Sequence, residues 1–222
     1  MAIRTFIVED QPAILKSQVK LLNTFEDIAI VGTAMSGEEA IDEIFDLDLL
    51  PQVVLCDLGL PGMNGIDVTR RVKSIKKEIE VLMFTVFEDE KMVLDAIRAG
   101  ASGYILKGAP AQKLHQAIVD VFHGGSVIQP NLARRLLKFF SKPEGMDPNR
   151  YEKAKHTLAL TKREEECLQL IAKGLSNVEI ASVLNVATAT IRTHLEHIYQ
   201  KFDVTNRVEA VTEGIRQGII EL

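Results

Sequence analysis

Five polar residues in the first half of the chain stand at the ends of short apolar runs. Glu9 and Asp10 follow the first run, Asp57 ends the third, Thr85 ends the fourth and Lys107 follows the fifth. Adjacent acids beside a third carboxylate form an anionic pocket that is costly without a hard divalent cation, and Mg²⁺ suits such oxygen ligands. With that ion bound, Asp57 can attack a phosphoryl group while the Thr85 hydroxyl and the Lys107 ammonium stabilise its oxygens. The residue types predict phosphoryl transfer to a carboxylate.

The elements that must position these residues alternate between two periodicities. Short β-branched and aliphatic runs predict strands, and segments of helical period follow each of them. The pattern repeats five times and predicts an α/β fold, a doubly wound (βα)5 parallel sheet with the flavodoxin-like strand order. The carboxyl ends of all five strands then share one rim, where ligands of such sheets bind. The predicted strands are Ile3–Val8, Ala29–Thr33, Val53–Cys56, Val81–Phe84 and Tyr104–Leu106, and the helices start near Pro12, Gly37, Gly65, Asp89 and Pro110.

At these residues the sequence resembles the receiver domains of bacterial two-component response regulators. The matching stretches are VEDQ from Val8, LCDLGLPGMNG from Leu55, MFTVF from Met83 and GYILK from Gly103. The resemblance implies that Asp57 is the phosphoacceptor and that a sensor histidine kinase donates the phosphoryl group from a phosphohistidine. It also implies that Asp10 and Asp57 bind Mg²⁺ directly, that Glu9 acts mainly through water, and that the main-chain carbonyl of Gly59 completes the protein ligands.

The same resemblance assigns a switch to Thr85 and Tyr104. Thr85 is expected to move toward the phosphoryl group and Tyr104 to turn inward behind it, which reshapes the face around the fourth helix and fifth strand. Two residues depart from the family pattern. Glu9 replaces the commoner Asp, and the bulkier Val86 follows Thr85, where we expect it to slow the access of water to the phosphoaspartate.

The rear of the chain is predicted to be entirely helical. Thr161 with Glu164 and Ser176 with Glu179 form S/T-x-x-E capping boxes. A short helix from Val178 is followed by a turn and a longer helix capped by Thr188, and Thr205 is expected to cap the last helix. A short helix, a tight turn and a longer helix form the helix-turn-helix layout of DNA-binding domains.

The segment from LTKREEECLQ to NRVEAV resembles the tetrahelical output domain of the NarL/FixJ (LuxR-type) response regulators. This resemblance implies binding of double-stranded DNA through the major groove, with Arg192 and Thr193 facing bases. Lys201, Thr190 and Asn177 are expected nearer the DNA backbone. Glu196 departs from the family pattern, and its carboxylate is expected to accept from cytosine while repelling phosphate.

The domain boundaries follow from these patterns. We expect a receiver domain at residues 1–124, a linker with a helical segment at 125–157, and a helix-turn-helix domain at 158–222. Residues 1–149 carry 16 basic and 21 acidic residues and the remainder 10 of each, so a basic DNA-binding surface must be local. No apolar run is long enough to span a membrane, which predicts a cytoplasmic protein. The last helix carries an apolar side, part of which suits a homodimer, and we expect that homodimer to form on phosphorylation.

Two other functions fit parts of the pattern. A Mg²⁺-dependent phosphohydrolase with a phosphoaspartate intermediate needs a second acid soon after the nucleophile, and Gly59 occupies that place. A transcription factor that uses its receiver only to dimerise, without phosphorylation, is disfavoured by the complete set of acids, Thr85 and Lys107. We therefore expect a transcriptional regulator and not an enzyme.

Overall fold

The computed structural model describes residues 2–128 and 159–220 and divides the chain into two compact units, Met1–Gln129 and Pro130–Leu222. The helix predicted at 130–140 and most of the predicted linker lie outside the described residues. Among the described residues, no helix is both long enough and apolar enough to cross a membrane.

A parallel sheet forms the centre of the first unit. Its order is β2-β1-β3-β4-β5-β6, and every neighbouring pair is parallel. The five predicted strands and the flavodoxin-like order are confirmed, and a two-residue strand after the fifth helix extends the sheet by one. The strands are β1 Ile3–Val8, β2 Ile28–Ala34, β3 Val53–Cys56, β4 Glu80–Thr85, β5 Gly103–Leu106 and β6 Val127–Ile128.

Helices connect the strands and cover both faces of the sheet. They are α1 Pro12–Leu22, α2 Gly37–Asp46, α3 Gly65–Ile75, α4 Glu90–Arg98 and α5 Ala111–Phe122. Ser36, Asn64 and Asp89 cap the N-termini of α2, α3 and α4 by accepting hydrogen bonds from backbone N–H groups of the first turn. These side chains satisfy donors that a helix start leaves without partners.

The apolar strands explain why the sheet is buried on both faces. Val53 and Leu55 of β3 pack in one cluster with Leu22 of α1 and Ile118 of α5. Successive strand residues point to opposite faces, and on the other face the Thr69 hydroxyl of α3 lies 3.5 Å from the Met83 sulfur. A sheet covered in this way leaves its carboxyl edge as the place for polar chemistry.

Four helices of the second unit enclose their own apolar core. They are α6 Lys162–Ala172, α7 Asn177–Leu184, α8 Thr188–Phe202 and α9 Arg207–Arg216. Both predicted capping boxes are present, at the starts of α6 and α7. Asn185 ends α7 in the left-handed conformation, with φ of 53°, and turns the chain into α8. This arrangement confirms the helical output domain.

Two of the predicted caps are wrong. Thr188 is already helical, and Ala187, which has no side-chain hydrogen-bond acceptor, stands at the cap of α8. The cap of α9 is Asn206, whose side chain accepts from the Glu209 N–H. Thr205 instead donates from its N–H and hydroxyl to the Glu209 carboxylate, so the cap is shifted by one residue.

Candidate functional site

Backbone pairing brings the five polar residues to one edge of the sheet. The Asp57 N–H donates to the Val8 carbonyl at 2.9 Å, which places the end of β3 beside the end of β1 and hence beside Glu9. The Lys107 N–H donates to the Thr85 carbonyl at 2.7 Å. Because the strands are parallel and in register, the predicted rim residues meet without any unusual loop.

Three carboxylates form an anionic cluster at this edge. Glu9, Asp10 and Asp57 each offer an oxygen, and these oxygens lie within 4.8 Å of one another. Glu9 is 0% exposed and Asp57 is 6% exposed. Since buried like charges at this spacing repel strongly, the cluster needs positive charge within reach.

Lys107 supplies one positive charge to the cluster. Its Nζ lies 2.6 Å from Glu9 Oε2 and 2.7 Å from Asp57 Oδ2. Burial by itself lowers the pKa of Lys107, but hydrogen bonds and charge attraction from Asp57 and Glu9 outweigh burial and raise that pKa above its ordinary value. The ammonium is therefore protonated at neutral pH and bridges the two acids.

The Asp57 carboxylate is held at both oxygens. The Leu58 N–H donates to Oδ1 at 2.7 Å and Lys107 binds Oδ2. The turn that follows is tight, because a Cβ at Gly65 would collide with the Asp57 carbonyl oxygen. Only glycine fits at this close approach, and it keeps the start of α3 directly behind the carboxylate.

Thr85 and Tyr104 both bond to the backbone of Phe87. The Phe87 N–H donates to the Thr85 hydroxyl oxygen at 3.5 Å, and the Tyr104 hydroxyl donates to the Phe87 carbonyl at 2.7 Å. The Tyr104 ring is fully buried in this conformation. Burial, followed by the charges of Asp57 and Asp89, raises the pKa of Tyr104, so its hydroxyl remains a donor.

The Phe87 ring lies beside Gly59, two residues after the acceptor. A Cβ on Gly59 would be 3.0 Å from the Phe87 ring and 3.9 Å from Asp57 Oδ2, so the ring and the carboxylate both border Gly59. The Val86 side chain is 67% exposed. The expectation that Val86 slows the access of water to the phosphoaspartate stays a prediction, and so exposed a side chain should shield the acceptor less than the Phe87 ring.

The donor set fits a magnesium ion. Its three carboxylates are the hard oxygen ligands that Mg²⁺ prefers, and the Gly59 carbonyl stays a predicted ligand. Glu9 Oε1 is also buried without a hydrogen-bond partner among the described residues. A buried carboxylate oxygen without a donor is costly, so this atom favours a cation or a cation-bound water beside it.

The second unit exposes most of the predicted DNA-reading residues on one helix. Arg192, Thr193 and Glu196 of α8 are exposed, and so is Thr190, two residues before Arg192. The opposite side of α8 is buried in the core through Ile191, Leu195, Ile198 and Phe202. This helix is therefore divided into an apolar side and a polar side.

Lys201 is partly buried and Asn177 is buried within the second unit, and their expected places near the DNA backbone stay predictions. Lys201 Nζ is 2.7 Å from Glu164 Oε2 and 3.1 Å from the Ala159 carbonyl, so it joins α8 to the start of α6. Asn177 is buried at the first turn of α7, and its Oδ1 has no partner among the described residues. Neither side chain stands on the exposed side of α8.

Comparison with known proteins identifies both units. The family model for the response regulator receiver domain matches residues 5–119, and the model for bacterial regulatory proteins of the luxR family matches residues 158–213. The chain is a NarL/FixJ-type response regulator.

Curated relatives match this response regulator over its whole length. It is 33% identical to the transcriptional regulatory protein LnrK of Bacillus subtilis, with 98% of each chain covered. It is 34% identical to the response regulator protein VraR of Staphylococcus epidermidis, with 100% of each covered. Among solved structures, the response regulator ChrA of a heme-sensing two-component system is 34% identical over 99% of each chain, with a TM-score of 0.51.

Sequence reasoning missed one buried residue of the response regulator's site. The Gln18 side-chain amide of α1 donates to Glu9 Oε2 at 2.8 Å. A signal was present, since Gln18 stands three residues after Leu15 and four before Leu22, in the apolar phase of its helix. A polar residue at a core position needs a polar partner, and here that partner is in the acidic cluster.

Proposed function

We propose that this response regulator accepts a phosphoryl group on Asp57 from the phosphohistidine of a sensor histidine kinase, with Mg²⁺ as cofactor. Phosphorylation then controls sequence-specific binding of double-stranded DNA by the second unit, and so transcription. The observation that carries the proposal is the buried triad in which Lys107 bridges Glu9 and Asp57 at 2.6 and 2.7 Å. The two proposed partners are a sensor histidine kinase, which presents its phosphohistidine, and operator DNA. Both imply that the protein acts in the cytoplasm.

The chain's own residues account for the main steps of the transfer. An Asp57 carboxylate oxygen attacks phosphorus, the bond from phosphorus to the histidine nitrogen breaks, and the imidazole leaves. The Leu58 N–H continues to hold Oδ1. Lys107, which binds Asp57 Oδ2 before the transfer, moves to a phosphoryl oxygen. The Thr85 hydroxyl donates to another phosphoryl oxygen.

The cation would be held by the acidic cluster. Asp10 and Asp57 would be the direct ligands, Glu9 would act through water, and the Gly59 carbonyl would complete the set. When bound, Mg²⁺ neutralises charge on the phosphoryl oxygens and on the carboxylates. The orphaned Glu9 Oε1 supports this assignment.

The switch would run through Phe87. In the structure the Phe87 N–H donates to the Thr85 hydroxyl oxygen at 3.5 Å. This hydrogen bond breaks when Thr85 turns toward the phosphoryl group. The Phe87 carbonyl is the acceptor of the Tyr104 hydroxyl. Tyr104 is already inward here, so we propose that phosphorylation stabilises this inward position and the β4–α4 loop conformation that accompanies it.

On DNA, α8 would enter the major groove. Arg192 and Thr193 contact bases, Glu196 accepts from cytosine, and Thr190 lies nearer the phosphates. Lys201 and Asn177 would contribute to backbone binding only by leaving their present surroundings. A homodimer formed on phosphorylation would place two such helices on a two-fold operator.

The test uses the full chain with beryllium fluoride as the phosphoryl mimic. Sedimentation and binding to a duplex selected from a random pool are measured with and without the mimic in Mg²⁺, with Asp57→Asn as control. We expect the mimic to promote dimerisation and to tighten DNA binding in the wild type alone. If acetyl phosphate does not phosphorylate Asp57 of the folded protein, the proposal is wrong.

The same experiment separates the alternatives. DNA binding and dimerisation that ignore the mimic would indicate a phosphorylation-independent transcription factor. Rapid, catalytic release of phosphate would indicate a phosphohydrolase, although Gly59 stands where such an enzyme needs its second acid.

A further inference from the structure

Gln18 is a buried polar residue that the proposed phosphoryl transfer does not use. It belongs to α1, is 6% exposed, and donates from its amide nitrogen to Glu9 Oε2 at 2.8 Å. The orientation of the amide follows from chemistry, because a carboxylate can only accept a hydrogen bond. Gln18 therefore contacts the acidic cluster from α1, the helix that follows Glu9 and Asp10 in the chain.

The two oxygens of Glu9 have different surroundings. Oε2 receives both the Gln18 amide and the Lys107 ammonium, whereas Oε1 is buried with no partner among the described residues. Two donors on one oxygen fix the rotation of the carboxylate. Oε1 is consequently the oxygen presented for a further ligand.

A glutamate needs this support more than an aspartate would. Its extra methylene adds a rotatable bond, so its carboxylate must be held if it is to stay beside Asp10 and Asp57. Lys107 cannot provide the support throughout, because in the proposed mechanism it leaves for the phosphoryl group. The Gln18 amide is the donor that remains on Oε2.

Resting on the function proposed above, we propose that Gln18 is a positioning residue for the cation site, which holds Glu9 so that Oε1 faces the bound Mg²⁺ or its water. It does not touch the ion or the phosphoryl group. Residues that orient metal ligands in this way typically change metal affinity by about 10- to 100-fold when they are replaced.

The test is calorimetric titration of the full chain with Mg²⁺. We expect Gln18→Leu and Gln18→Met to weaken Mg²⁺ binding by about tenfold. Leucine and methionine also remove the Gln18 oxygen, which is buried without a partner, so folding is expected to persist, and melting temperatures without Mg²⁺ check it. Two apolar shapes are used so that one poor fit does not decide the result.

The matched control is Gln116→Leu. Gln116 also donates its amide to a carboxylate, Asp120, at 2.8 Å, but it lies exposed on α5. Its replacement should leave Mg²⁺ affinity unchanged. In a Glu9→Asp background, where the shorter side chain no longer reaches Gln18, the Gln18→Leu replacement should have little further effect.

Separate outcomes overturn the inference and the proposed function. Wild-type Mg²⁺ affinity in both Gln18 variants would overturn the role of Gln18, as would an undiminished loss in the Glu9→Asp background. Absence of saturable Mg²⁺ binding by the wild type, or binding unaffected by Asp57→Asn, would instead overturn the proposed cation site.

Discussion

The Lys107 ammonium lies 2.7 Å from Asp57 Oδ2, so the proposed nucleophile is ion-paired before any phosphoryl group arrives. The same nitrogen is 2.6 Å from Glu9 Oε2. Lys107 thus already neutralises part of the negative charge that a bound cation would also neutralise. Lysine and magnesium should compete for the same negative charge.

Replacing Lys107 with Met should therefore tighten Mg²⁺ binding while destabilising the Mg²⁺-free protein. Removing one partner of a buried ion pair costs about 3 kcal/mol. We expect Mg²⁺ affinity to rise about tenfold. The free energy of this change is smaller than the ~4 kcal/mol of interaction between unit charges 4 Å apart at an effective dielectric constant of about 20. Melting temperatures across a MgCl2 series measure both effects. Lys113→Met, at an exposed lysine of α5, is the control, and equal Mg²⁺ affinity in the two variants would exclude competition by Lys107.

Phe87→Ala should shorten the life of the phosphoaspartate several-fold, since the ring borders Gly59 on the side of the Asp57 carboxylate, where we expect it to limit the approach of water. Decay of radiolabel from the phosphorylated full chain measures the lifetime. Val86→Ala is the matched control, because that side chain is exposed and its removal should change the lifetime less. A larger effect at Val86 than at Phe87 would show that the loop closes differently once phosphorylated.

Glu196→Ala should bind DNA more tightly and with less selectivity. The exposed carboxylate on α8 repels phosphates, and it accepts only from a base that offers a donor. Fluorescence anisotropy with a selected duplex and a scrambled one, over a salt series, measures affinity and selectivity together. Glu196→Gln keeps the shape and removes the charge. Equal or weaker binding by both variants would remove Glu196 from the reading surface.

Glu164→Gln should remove a pH-dependent part of the second unit's stability. Burial alone raises the pKa of Glu164, but hydrogen bonds from Lys201 and Thr161 outweigh it and hold that pKa below the ordinary value of 4.5. A lowered folded-state pKa means that the contribution is present above pH 4.5 and is lost as the pH falls through the folded-state value. We expect a loss of about 2 kcal/mol at pH 7, from hydrogen bonds to a charged group, and little difference from wild type under strongly acidic conditions. Urea unfolding of the full chain, followed by NMR signals of the second unit, tests this, and a difference independent of pH would contradict it.

Lys201→Met should lower the stability of the second unit but leave the salt dependence of DNA binding almost unchanged. Its ammonium is engaged by Glu164 and the Ala159 carbonyl. A lysine that contacts a phosphate contributes about one unit to the slope of log affinity against log salt. A drop of that size would show that Lys201 leaves Glu164 on binding DNA. Arg192→Ala provides the comparison, since Arg192 is exposed on the reading side.

The sequence predicts the receiver's sheet and rim well because both depend on local patterns. Apolar runs mark β1 to β5, which are four to seven residues long, and the parallel arrangement places whatever follows them at one edge. Asp57, Thr85 and Lys107 therefore meet as expected. Their meeting requires only the strand order and the register.

What the sequence does not predict depends on contacts between distant elements. The Gln18 bond to Glu9 requires the rotation of α1 against β1, and the Lys201 bond to Glu164 joins residues 37 positions apart. A helical wheel places Lys201 at the edge of the polar side, but the neighbouring α6 decides where its flexible side chain goes. The direction of Val86 likewise depends on how the chain leaves β4.

The hydrogen bond from the Lys107 N–H to the Thr85 carbonyl has a mechanical consequence. It joins the main chains of the two residues that we propose contact the phosphoryl group, so the separation of these main chains stays constant. We therefore expect phosphorylation to act first by rotating side-chain bonds and bending the β4–α4 loop, while the sheet keeps its shape.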